Sequence, residues 1–117
     1  MASKPERQKV HWQKFYEANK DEVKRRAKEH TAKVRIQVRA WLYEYLLSHP
    51  CVDCGESDPI VLEFDHQRDK EFDVSAFGSR SLKKVIAEVE KCQVRCANCH
   101  RRVTYHRAGR THRTPAL

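Results

Sequence analysis

Four of the five cysteines fall in two C-x-x-C units, Cys51-Val-Asp-Cys54 and Cys96-Ala-Asn-Cys99. Two residues between cysteines let one tight turn present both thiolates to a single ion, and two such turns complete the tetrahedral shell that zinc prefers. A redox C-x-x-C needs no second copy, and no βαβ pattern surrounds either pair. The cysteines are therefore read as ligands of one structural Zn2+. A closed shell of four thiolates leaves no position for water, so any hydrolytic chemistry must use other residues. Cys92 lies outside the pattern, on the inner side of a short strand, and is read as a small core residue.

Between Cys54 and Cys96 lie 41 residues, more than the roughly 15–20 of a compact finger. A folded insert is expected there, and it carries Asp65-His66. His100 directly follows the second knuckle. An unperturbed imidazole takes a proton from water near neutral pH. A carboxylate with a second imidazole suits a divalent cation. Phosphodiester hydrolysis needs an activated water and a cation to stabilise charge on the phosphate. Arg101 and Arg102, beside His100, are candidate grips on flanking phosphates; Lys70, after His66, is read either as a further phosphate contact or as a solvated side chain. A single histidine on a strand or helix is more often structural, so the weight rests on the set, interleaved with the knuckles.

These side chains need elements to hold them. Residues 1–18 read as mixed, with Trp12, Phe15 and Tyr16 among lysines. Asn19, Asp21 and Glu22 resemble a capping box that opens a helix. No Gly or Pro interrupts the chain from there to Ser48, and Val34, Val38, Trp41, Leu42 and Tyr45 form a core-facing stripe. The first half of this long helix is basic through Lys20, Lys24, Arg25, Arg26 and Lys28. Lys24, Arg25 and Arg26 are candidate phosphate contacts, weighed equally against a solvated face. His49-Pro50 ends the helix. Ile60–His66 predicts a strand ending at the loop from Gln67, where a bend would let Asp65 and His66 share a site despite strand alternation. Ser81 predicts the cap of a second helix over 82–91. Gln93–Arg95 predicts a short strand, and a last helix runs from the second knuckle to about Ala108.

The chain has 117 residues and a formal charge of +8, so one small domain is expected, with a modest core that a metal staple would help. Residues 1–50 carry 12 Lys/Arg against six Asp/Glu, residues 51–95 seven against ten, and residues 96–117 five against none. Basic ends around a mildly acidic middle point to a phosphate backbone as partner. No apolar run approaches the roughly 18–20 residues of a membrane span. Met1–Val10 is charged with no apolar h-region, so no signal peptide and a reducing, cytoplasmic location are expected.

The order Cys51-Val-Asp-Cys54, Leu62-Glu-Phe-Asp65-His66 and Cys96-Ala-Asn-Cys99-His100-Arg-Arg resembles a zinc-stapled HNH endonuclease of the His-Me finger group, over about residues 50–107. The resemblance implies an α+β fold: a small ββα-metal core with the four-cysteine zinc site and, outside it, the long N-terminal helix. It implies that His66 is the general base and that Asp65 and His100 hold Mg2+ or another divalent cation. It also implies cleavage of DNA, with phage or restriction proteins as possible partners in a bacterial or phage-infected cell. The family's middle Asn lies about five residues before the second knuckle, where this chain has Lys91. Asn98 and His106 are carried as candidates for positioning or an extra contact. Asn98 is weighed against a left-handed turn role, and His106 against packing with Val103. The expected division is a basic helical arm over 1–49, the nuclease core over 50–108 and a basic disordered tail over 109–117. Two other readings stand beside the nuclease: a non-catalytic zinc-stapled DNA- or RNA-binding module, and a protein-interaction domain docking through its long helix.

Overall fold

The computed structural model describes residues 6–109, so all but Gly109 of the expected basic tail over 109–117 lies outside the described residues. It is a small mixed α+β chain: α1 (Glu6–Ala18), α2 (Lys20–Leu47), β1 (Leu62–His66), α3 (Leu82–Val89), β2 (Cys92–Cys96) and α4 (Ala97–Arg107). No described helix is long and apolar enough to cross a membrane. Two compact units divide the chain inside α2, Met1–Val34 and Arg35–Leu117, so the second half of α2 belongs with the residues that follow it.

In the first unit, residues read as mixed form the helix α1 from Glu6 onward. Its Glu, Arg, Gln and Lys residues favour a helix and no Gly or Pro interrupts it, and Trp12 and Phe15, one turn apart, stack at 5.7 Å. Asn19 does not cap α2 with its side chain. Its amide donates to the Phe15 carbonyl at 2.9 Å, closing α1, while its own carbonyl accepts from Val23 N at 2.9 Å and opens α2. Asp21 and Glu22 sit in the first turn, where the helix dipole favours acids.

In the second unit, β1 and β2 pair antiparallel with Leu62 opposite Cys96, Phe64 opposite Val94 and His66 opposite Cys92. The strand starts two residues later than expected. Asp58 accepts from Ile60 N at 2.9 Å and, with Pro59, winds Pro59–Val61 into a 3₁₀ turn. α4 packs on both strands and α3 on β2. Cys51, Leu62, Val94, Cys96 and Cys99 form one buried cluster, with Tyr45, Leu46 and Phe64 packed against it. Val38, Val74, Phe77, Val85 and Val89 are also buried. α3 begins as expected: Ser81 Oγ accepts from Lys84 N at 3.3 Å, satisfying an otherwise unpaired helix amide. Ser81→Ala is expected to cost about 1 kcal/mol in urea unfolding, and Ser81→Asp to retain most of the stability. An unchanged midpoint in Ser81→Ala would show that this cap contributes nothing.

Candidate functional site

The two cysteine turns are built differently and converge. In the first, Gly55 takes φ +79, the left-handed conformation that glycine adopts without a Cβ penalty. Its amide donates to Cys51 O at 2.9 Å, and Cys51 N donates to Glu56 O at 2.9 Å. In the second, Cys96 is the N-cap of α4 and its Sγ accepts from Cys99 N at 3.4 Å. The four Sγ atoms of Cys51, Cys54, Cys96 and Cys99 lie within 4.8 Å of one another, and Cys54 and Cys96 are 3.7 Å apart. Sulfurs at the corners of a tetrahedron around an ion about 2.3 Å away would be about 3.8 Å apart. The four cysteines are therefore close enough to bind one metal ion.

The thiol electrostatics agree with that geometry. Burial disfavours ionisation of Cys51, but the amides of Cys96, Cys54 and Asp53 outweigh it and lower the thiol to about 6. Cys99, hydrogen-bonded to Cys96 and buried among the other sulfurs, is pushed up to about 12. Ionisation is favoured at Cys51 and disfavoured at Cys54 and Cys99, a conflict that a divalent cation removes.

β1 carries the remaining candidates, and it stays regular through His66. The bend expected between Asp65 and His66 is absent, so the two side chains take opposite faces of the hairpin. On the α4 face Asp65 is buried, 3% exposed. It accepts from Arg95 at 2.5 Å and from Arg107 at 2.8 and 3.0 Å. His100 Nε2 lies 3.5 Å from Asp65, and its Nδ1 2.9 Å from Glu63. Burial alone would raise the Asp65 carboxyl, but the Arg107 and Arg95 guanidiniums and the His100 ring hold it below its ordinary value. Asp65 and His100 thus come together, with two arginines already on the carboxylate.

On the α3 face His66 Nε2 is 2.8 Å from Glu88, which is 1% exposed. Glu88 also accepts from Glu71 N and from Lys91 Nζ, both at 2.9 Å. Burial alone would raise this carboxyl; the Glu71 amide, Lys91, His66 and the Phe72 amide bring it down to about 2.

The two faces meet round the edge of β1 that β2 does not pair. A cleft of about 550 Å³ runs there, lined by Leu42 and Leu46 of α2, Glu63, Asp65 and His66 of β1, Lys70, and His100 of α4. Lys70 is ion-paired with Asp73. Arg101 and Arg102 are exposed on α4, and Arg102 sits with Asn98 beside the cysteines. Asn98 is thereby placed away from His66 and outside the cleft lining. His106 is exposed, edge-on to Tyr105 at 5.6 Å, and is also absent from the lining. In the first unit Arg25 pairs with Glu22 at 2.5 Å and Glu29 at 2.6 Å, and Arg26 with Glu22 at 2.9 Å, so much of their charge is met within α2. Cys92 is half-buried; burial and nearby Glu88 push its thiol up to about 11. It stands apart from the sulfur cluster.

Sequence reasoning missed Glu63, Glu88, Arg95 and Arg107. Glu88 was readable in principle: it falls three residues after Val85 and one before Val89, an acid bordering an apolar stripe. The arginines gave no signal, because their partner Asp65 lies 30 and 42 residues away. No family model, curated protein or solved structure matches the chain. Among the described residues the cysteines alone form a group of three or more His, Cys, Asp or Glu arranged around one point. Complete metal removal by a chelator, verified by elemental analysis, is therefore expected to abolish the cooperative thermal transition of the Arg35–Leu117 unit. Cys96→Ser should do the same. A transition that survives full chelation contradicts a stapling role.

Proposed function

We propose that this chain is a zinc-stapled phosphodiester hydrolase of the HNH type that acts on DNA, with a ββα-metal core formed by β1, β2 and α4. The observation that carries the reading is a single cleft lined by His66, Asp65 and His100; Arg101 and Arg102 are exposed on α4, the helix that carries His100. Zn2+ is the ion that four thiolates in two C-x-x-C turns suit best, and a closed shell makes it structural.

His66 takes a proton from water. The water oxygen's electron pair forms the new bond to phosphorus, the ester P–O bond breaks, and its electron pair leaves on the alkoxide, which solvent then protonates. Asp65 and His100 would hold Mg2+ or another divalent cation, which when bound stabilises charge on the phosphate and leaving oxygen. Two protein ligands suffice for Mg2+, which keeps several waters and shares substrate phosphates. Arg95 and Arg107 already neutralise Asp65, so cation binding should be weak until DNA phosphates join the site. Arg101 and Arg102 would grip flanking phosphates, and Lys24, exposed on α2, would add a sequence-independent contact. Cytoplasmic work on phage or bacterial DNA, alongside phage or restriction proteins, follows from the same resemblance.

A second reading, a non-catalytic zinc-stapled DNA- or RNA-binding module, is favoured by the two guanidiniums on Asp65 and by the opposed faces of Asp65 and His66. Incubating supercoiled plasmid with the zinc-loaded protein and Mg2+ or Mn2+ separates the two. Wild type is expected to nick, and His66→Ala to lose at least about 100-fold in rate while keeping its zinc, circular dichroism and DNA affinity. DNA binding without cleavage by wild type under either cation would leave the binding module standing.

A further inference from the structure

His66 has two ring nitrogens, and their surroundings differ. Nε2 faces the Glu88 carboxylate at 2.8 Å. An ionised carboxylate accepts hydrogen bonds and cannot donate one, so Nε2 must carry the proton. Nδ1 makes no hydrogen bond to the described residues. No buried side-chain nitrogen or oxygen among them lacks a partner, so Nδ1 reaches solvent, in a residue that lines the cleft.

Glu88 is itself held from three directions. Its Oε2 accepts from Glu71 N at 2.9 Å and its Oε1 from Lys91 Nζ at 2.9 Å. Val85 and Val89, fully buried on either side of it along α3, leave the helix no room to turn. Lys91 extends the hold to the chain that follows His66: Nζ donates to Asp69 O at 2.9 Å, and Gln67 N donates to Lys91 O at 2.8 Å. The carboxylate therefore cannot follow the imidazole if the ring rotates. The ring must keep its place or leave a buried charge short of a partner, which is costly.

We propose that Glu88 is a positioning residue for His66: it fixes the imidazole as the Nε2–H tautomer and points the Nδ1 lone pair into the cleft as the proton acceptor. The inference rests on the hydrolase reading for its consequence, but the tautomer stands without it. When Nδ1 gains a proton, the imidazolium lies against a carboxylate that has not moved, so charge formed during proton transfer is met by a group already in place.

Long-range ¹H–¹⁵N correlation spectra of the zinc-loaded full chain, above the titration of its histidines, report the His66 tautomer directly. Wild type should show Nε2–H alone, with that proton protected from exchange with water. Glu88→Gln should lose the protection and populate Nδ1–H. In plasmid nicking the same variant should lose at least about 10-fold in kcat at unchanged KM, and Glu88→Asp should recover part of it; a merely structural role would move neither the tautomer nor kcat alone. A wild type that populates Nδ1–H overturns the proposal even if the variant fails to fold. A wild type that cuts while Glu88→Gln keeps both tautomer and kcat also overturns it. A wild type with the Nε2–H tautomer that cuts nothing instead sinks the hydrolase reading and leaves the Glu88–His66 arrangement in place.

Discussion

The convergence of four sulfurs is the constraint on which the rest of the second unit depends. Cys54 and Cys96 are 42 residues apart in sequence and 3.7 Å apart in space. Closing a loop of that length costs about 3–4 kcal/mol of chain entropy, and the apolar core available to offset it is small. Cys51, Cys96 and Cys99 are themselves part of that core, against Leu62, Val94, Tyr45, Leu46 and Phe64. An ion bound by the four thiolates would therefore do two things at once. It would resolve the mutual repulsion of the thiolates and fix where α4 leaves β2.

That exit direction decides what α4 brings to β1. His100 and Arg107 reach Glu63 and Asp65 across one face of the hairpin, while α3 brings Glu88 to His66 on the other. Each face is internally compensated: a buried carboxylate meets two arginines on one side, and a histidine and a lysine on the other. Buried ion pairs of this kind add little net stability but are costly to break, so they specify arrangement more than they strengthen it. The regular strand separates the two systems, and the unpaired edge of β1 is where they open to a common cleft.

Much of this was legible in the sequence, and the reasons for the misses are physical. The knuckles were readable because zinc chemistry demands local spacing, and α2, α3 and α4 because apolar periodicity and a Ser cap are local signals. α1 was missed because a solvated helix has no apolar stripe to announce it. Asp65, His66 and His100 stood out by type and position, but their surroundings did not. Arg95 and Arg107 on Asp65, and Glu88 on His66, are pairings across the fold that no spacing rule encodes. The side-chain cap assigned to Asn19 failed for a related reason: the pattern fits a helix start, yet a second helix just before it offers the amide a better partner in the Phe15 carbonyl. Lys91, noted only as standing where an Asn was expected, ties Glu88 to the chain after His66.

The proposed function requires that an ion held by the four cysteines have a closed shell, which would leave any chemistry to the cleft on β1. X-ray absorption at the edge of the metal that copurifies with the chain tests it most directly. The expected result is zinc with four sulfur neighbours at about 2.3 Å and no nitrogen or oxygen in the shell. A mixed sulfur and oxygen shell, with a position open to water, would contradict it and move the chemistry to the cysteines.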